Sequence, residues 1–314
     1  MRIDATVVEA DIRYPTDAGL AWQGARALAR EGRKLAGRLP GQTRRVVDRS
    51  RQLGKTVRAI SRTLARRTGQ RRDEVMELNA QAGRILTRSI GEARMLAAQA
   101  RASARGRGAQ AKLRAAQRLE ELADRCQRIA TQIQQRSRGE PIADRLVSLS
   151  DPDARPIRKG KLGKPNEFGY VAQLAEVTAN TRRGARGYVL PAASAPGNPG
   201  ENRLLPQTAA ELDRLGLRPR EVALDGGFVP GPTTQTLAGL APRRTFISGR
   251  AEPGSRRTRR RLARYRTGCE GRISHLKRGY GLRRSRLRGD QGQRIWTGWA
   301  VLAYNLDTLA IQAA

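Results

Sequence analysis

Cysteine and histidine are almost missing from this 314-residue chain: Cys126, Cys269 and His275 are all it has. No pair of them has the spacing of zinc ligands, and two lone thiols make no disulfide framework. A nucleophilic dyad of Cys269 and His275 is excluded too, because six residues apart they fall on different faces of a helix. Aromatic residues are few, at 4%, although total hydrophobic content of 38% allows a real core in one large domain or two ordinary ones. No apolar run approaches membrane length and no signal-peptide pattern opens the chain. These absences lead us to expect a soluble, reduced, intracellular protein. Acidic residues are scarce as well: 28 Asp and Glu face 62 Lys and Arg, a formal net charge of +34.

Nearly all of that positive charge is arginine, whose planar fork suits bidentate phosphate contacts. A charge this large attracts polyanions, and DNA or RNA is the expected partner. The chain opens on "MRIDATVVEADIRY", where β-branched residues and alternation predict a strand, followed by a helix capped by Thr16 or Asp17. From Gly19 to Gly139 the pattern is helical and arginine-rich. Seams run through Val46, Leu53, Val57, Ile60 and Leu64, and through Leu122, Cys126, Ile129 and Ile133. Breaks at Pro40, at "TGQRRDE" and at "RGRG" divide it into three or four packed helices. The arginines there form either a solvated face or a DNA-facing one.

Beyond Pro141 the pattern turns to strands: "RLVSLS" (145–150), a turn at "DPDARP", "GYVAQLAEV" (169–177) and "RGYVLPA". After the loop "PGNPGEN" come the helix "LLPQTAAELDRLGL", the short buried strand "EVALD" (221–225) and the strand "RRTFIS". A basic helix and a final amphipathic helix, with Trp296 and Trp299 as core anchors, close the chain. The fold class is α/β, a mixed sheet interrupted after its first strand by a large helical insertion. The expected segments are 1–18, 19–143 and 144–314.

With so few nitrogen and sulfur ligands, metal chemistry falls to carboxylates, which bind hard divalent cations. Asp225 ends a short apolar strand and precedes Gly226-Gly227, which let a ligand or backbone come close; a strand-end turn explains it equally. Asp4 stands in an apolar strand, where a carboxylate is costly unless bound or paired, or else lies on an exposed edge. Glu270 is the one acid in the basic stretch "CEGRISHLKRGYGLRRSRLRG", either a metal ligand or a surface partner of an arginine. Asp11, Asp151 and Asp153 sit by the strand end and in a Pro turn, and turn chemistry accounts for them.

Arg266, Glu270 and Lys277, separated by three and six residues, resemble the signature around the catalytic glutamate of bacterial insertion-sequence DDE transposases. The tyrosine that family carries three residues before the arginine is Ala263 here, with Tyr265 nearest. "RIDATVV" resembles the family's first-Asp strand and "VALDGGF" its second; "RKGKLGKPNEFGYVAQLAE" and "WAVLAYNLDTL" resemble its connecting strands and last helix. The likeness covers residues 1–18 and 145–314. It implies an RNase H-like sheet, with Asp4, Asp225 and Glu270 holding two Mg²⁺ (or Mn²⁺) ions for DNA cleavage and strand transfer. It further implies double-stranded DNA, at element ends and target, as the partner, with phosphate contacts from Arg266, Lys277, Arg278, Arg283 and Arg284, a homodimer in the active complex, and a cytoplasmic site of action at the nucleoid. The family's DNA-recognition region normally precedes the first Asp, so an N-terminally truncated copy is expected. A non-catalytic DNA-binding remnant and an RNase H-like nuclease without strand transfer are the alternatives.

Overall fold

The structure, a computed structural model, describes residues 1–39, 41, 44–66, 71–158, 166–250 and 254–313. Pro40, the "TGQ" of the expected "TGQRRDE" break and residues 159–165 of the connecting stretch lie outside the described residues. The chain divides into two compact units, Met1–Asp11 with Asp153–Ala314, and Ile12–Pro152.

The second of these is helical: α1 (Asp17–Ala36), α2 (Ser50–Ala65), α3 (Arg71–Ala102) and α4 (Ala109–Ser137). Thr16 is the cap of α1, its hydroxyl accepting from the Gly19 amide at 3.1 Å. Leucine, isoleucine and alanine from all four helices make one apolar cluster, and Cys126, Ile129 and Ile133 enter it from α4 as their spacing predicts. The other seam is shorter than expected. Val46 precedes α2 and Leu64 is exposed, leaving Leu53, with Val57 and Ile60 partly buried.

The expected strand "RLVSLS" is not a strand. Leu146 and Leu149 are buried in the helical cluster, and side chains of α4 satisfy the backbone. Gln132 accepts from the Leu146 amide at 2.6 Å and donates to its carbonyl at 3.2 Å, while Arg125 donates to the Leu149 carbonyl. With its polar groups met by side chains, this extended segment needs no neighbouring strand. It therefore belongs to the helical unit, whose limits fall at 11/12 and 152/153 rather than 18/19 and 143/144.

Among the described residues the α/β unit holds a seven-stranded mixed sheet: β1 (Arg2–Ala10), β2 (Arg155–Ile157), β3 (Glu167–Val177), β4 (Tyr188–Pro196), β5 (Glu221–Leu224), β6 (Arg244–Ile247) and β7 (Arg284–Ser285). The order β2-β3-β1-β5-β6 places β1 centrally, antiparallel to β3 and parallel to β5; β4 pairs with β3 and β7 with β1. The helices are α5 (Glu201–Arg214), α6 (Pro230–Leu237), α7 (Arg256–Gly279) and α8 (Gly289–Ala313). Strand alternation assigns them to faces. Ile3, Val222 and Leu224 pack with Leu205, Ala209 and Leu212 of α5. Val8 and Ala223 pack with Leu262, Tyr265 and Leu276 of α7 on the other side. In α8 the buried face runs through Gln293, Thr297, Ala300, Val301, Tyr304 and Thr308. Trp299 lies off that face and is 65% exposed, so it is not a core anchor; Trp296 is partly buried and donates to the Gly281 carbonyl at 3.0 Å.

Candidate metal centre

The parallel register pairs Arg2 with Ala223, so Asp4 and Asp225 stand two residues further along adjacent strands. Asp4 is buried in the middle of β1, and Asp225 follows the last residue of β5. Each carboxylate accepts from the next residue's amide, Ala5 at 2.8 Å and Gly226 at 2.7 Å, which fixes its direction. A third carboxylate joins them from the opposite helix layer. Glu201, the first residue of α5, presents an oxygen that lies with one from each aspartate in a set whose members are all within 4.8 Å of one another.

Gly227 makes that approach possible. A Cβ there would stand 2.5 Å from Glu201 Oε2 and 3.0 Å from its Cδ, so a side chain would displace the carboxylate. Oε2 itself is buried and accepts no hydrogen bond from the described residues.

Glu270 stands outside this set. It projects from α7, is 62% exposed, and meets the cluster through the guanidinium of Arg266 one turn earlier. Nη1 of Arg266 contacts Glu270 at 2.9 Å, while Nη2 lies 3.0 Å from Asp225 and 3.5 Å from Asp4. All three sequence-predicted acids therefore share one cation. Arg266, expected at a phosphate, is instead largely buried on the carboxylates.

A buried ionic network holds α7 against the sheet. Arg2 donates through Nε to Glu176 at 2.7 Å, through Nη1 to the Tyr265 carbonyl at 2.7 Å and through Nη2 to the Ala185 carbonyl at 3.1 Å. Arg272 of α7 donates to the other Glu176 oxygen at 3.0 Å. Gly268 leaves the path for Arg2: a Cβ there would be 2.1 Å from Nη1. Tyr265 is a buried anchor of this network, its hydroxyl 2.6 Å from that of Thr178.

Electrostatics reflect burial first and the crowding of like charges second. Burial pushes the Asp4 carboxyl up to about 6, against the pull of Arg266, with Asp225 and Glu270 adding to the rise. Burial, then Asp4 and Asp225, push Glu201 up to about 7. The thiol of Cys269 is buried and driven well above its ordinary value by that burial, while His275 packs edge-on against Tyr280 and Tyr304. Neither serves as a nucleophile–base pair.

Residues 153–306 match the transposase DDE domain family. The chain belongs to the DDE transposase family. The matched stretch contains Glu201, Asp225, Arg266 and Glu270, and β1 brings Asp4 to it across the sheet. No curated protein and no solved structure matches the chain. DDE transposases act on DNA and depend on divalent metal, and the donor set of this transposase fits such ions. It offers carboxylate oxygens only, as a hard cation requires, and one of them is buried without a proton donor.

Of the expected phosphate contacts, Arg278, Arg283 and Arg284 are exposed; Arg284 lies 2.9 Å from Glu9, and Lys277 is partly buried. Two features escaped the sequence reading. Glu201 looked like the end of the loop "PGNPGEN"; its place at a helix N-terminus, with glycines after the next strand, was the available signal. The transposase also lines a shallow cavity of about 770 Å³ with Arg182 and Arg183 facing Arg256, Arg257, Arg260 and Arg264. Among the described residues, no helix is long and apolar enough to cross a membrane.

Proposed function

We propose that this transposase cuts and joins DNA strands on an RNase H-like sheet, with Asp4, Asp225 and Glu270 as its catalytic carboxylates. The observation that carries this reading is the meeting of β1, β5 and α7 at one guanidinium. Asp4 and Asp225 would hold two Mg²⁺ or Mn²⁺ ions jointly, and Glu270 would complete the set from α7. When bound, a pair of divalent ions polarises the attacking and leaving oxygens of an in-line displacement.

The chain's own groups do the rest. The fixed aspartates keep the reacting phosphate at one point of a rigid sheet. Arg278, Arg283 and Arg284, with Lys277, hold the flanking backbone, and the arginines around the α7 cavity extend that hold. Arg266 serves as a phosphate contact once metal charge replaces it on the aspartates. In the first step a water oxygen bonds to phosphorus, the bond to the 3′ oxygen breaks and a 3′-hydroxyl is freed. In the second, that hydroxyl attacks a target phosphate and displaces the target's own 3′ oxygen. The reaction takes place on nucleoid DNA in the cytoplasm.

A homodimer is part of the proposal, supported by α8. Ile295, Trp299, Leu302, Leu306 and Leu309 are exposed and recur at alternating spacings of four and three, the period of a paired helix seam.

The test is a Mg²⁺-dependent nicking assay beside a DNA-binding titration. Glu270→Gln removes one negative charge from a basic surface, so metal-free DNA affinity holds or rises slightly while nicking collapses. Lys277→Ala weakens DNA binding and leaves metal dependence intact. Nicking by Glu270→Gln at the rate of the unaltered protein contradicts the assignment.

A further inference from the structure

We infer that Glu201 is a direct metal ligand of this transposase, a fourth carboxylate beside the three its family resemblance implies. The inference rests on the metal-dependent reading above and adds a residue to it. Three observations converge. First, the oxygens that cluster within 4.8 Å are those of Asp4, Asp225 and Glu201, not Glu270. The residue nearest the aspartates is thus one with no assigned role. Second, among the described residues Glu201 Oε2 is buried with no hydrogen-bond donor, although it lies beside two other carboxylates. A buried acceptor left unmet costs about 1–3 kcal/mol, more when charged, and a metal bond meets it. Third, the fold makes room for it: Gly227 presents bare backbone against the Glu201 carboxylate, at a spacing that no Cβ tolerates.

Charge leads to the same assignment. Asp4, Asp225 and Glu270 contact the guanidinium of Arg266 and Glu201 lies beside the aspartates, so four carboxylates set against that one cation leave three negative charges when all are ionised. Two divalent cations offset that excess, whereas one arginine does not. The layers of the fold explain how the labour divides. Glu201 arrives from α5 on one face of the sheet and Glu270 from α7 on the other, with Asp4 and Asp225 between them. Asp4 and Asp225 with Glu201 would hold divalent charge from the α5 side, and Glu270 would add its carboxylate from the α7 side. Glu270 is exposed, as suits a ligand beside incoming DNA; Glu201 is the interior ligand.

The experiment is a calorimetric titration of Mn²⁺ into the full chain, without DNA, for the unaltered protein, Glu201→Gln and Asp225→Asn. Loss of partners that merely support a metal ligand already weakens affinity 10–100-fold, so loss of a direct ligand is expected to weaken Mn²⁺ binding by about ten-fold or more. Metal-free thermal melting of Glu201→Gln should hold or rise, because a like charge has left the cluster. Should that variant fail to fold, Glu201→Asp carries the comparison, with its carboxylate drawn back by one methylene and Mn²⁺ binding weakened again. Folded Glu201→Gln, or Glu201→Asp in its place, binding Mn²⁺ within two-fold of the unaltered protein overturns the inference. Asp225→Asn separates this from the reading beneath it. If Asp225→Asn keeps full Mn²⁺ affinity, or the unaltered protein binds none, the metal centre itself is wrong.

Discussion

The helical unit and the α/β unit are stabilised by different kinds of interior. In the helical unit one apolar cluster of leucine, isoleucine and alanine draws on all four described helices, and its buried polar groups, Asp17 and Gln132 among them, are fewer than those of the α/β unit. In the α/β unit the apolar clusters are smaller and separate, and Arg2, Asp4, Gln173, Glu176, Thr208 and Gln293 are buried as well. An apolar cluster is non-directional and tolerates side chains of similar volume. A buried polar network fixes individual atoms, because each partner must be met at hydrogen-bonding distance. The carboxylates lie in the unit with the second kind of interior, where atomic positions are held.

That contrast is sharpest at Arg2. Its guanidinium fork serves Glu176 and two carbonyls, so Arg2→Leu leaves Glu176 buried with fewer partners. The expected loss is about 3–5 kcal/mol in chemical denaturation, and Arg2→Lys, though conservative in charge, should lose most of it. In the helical unit, fully buried Leu96 should cost about 2–5 kcal/mol as Leu96→Ala, but under about 1.5 kcal/mol as Leu96→Met. If Arg2→Lys is as mild as Leu96→Met, the two interiors do not differ in the way argued.

The pH dependence of the metal-free protein is the next effect in size. Asp4 and Glu201 have folded values of about 6 and 7, above their ordinary values of 3.8 and 4.5. At these two carboxyls the folded state binds more protons than the unfolded one in that window, so the stability they contribute falls as pH rises, while the buried Met1 amine, lowered to about 6, acts the other way. The melting temperature of the unaltered protein should therefore fall relative to that of Glu201→Gln between about pH 5 and pH 7. Parallel curves for the two proteins across that window rule out the raised Glu201 carboxyl. The smallest expected effect is at the cap of α1, where Thr16→Ala should cost about 1 kcal/mol.

Much of the fold was legible because local signals agreed with tertiary ones. The alternation in "RIDATVV", the Thr16 cap and the Cys126–Ile129–Ile133 spacing each describe an element that exists. "RLVSLS" misled because β-branched and apolar residues mark any extended buried segment; the sequence does not say that Gln132, rather than a strand, would meet its backbone. Trp299 misled because size suggests burial, while its position on α8 places it off the buried face. Asp4 and Asp225 were readable as acids in apolar strands. Glu201 was not, since a glutamate at a helix start is ordinary, and only the approach of Gly227 from another element sets it apart. The family likeness places Arg266 at a phosphate; that its guanidinium also joins Asp4 to Asp225 is not visible in the spacing of Arg266 and Glu270.

The account stands on a divalent-metal centre at Asp4 and Asp225, and anomalous diffraction from crystals grown with Mn²⁺ tests it most directly. The expected result is manganese peaks at about 2.0–2.3 Å from carboxylate oxygens of both aspartates, with Arg266 displaced from them. Crystals in which Arg266 still bridges Asp4 and Asp225 while manganese binds elsewhere, or nowhere, would contradict it.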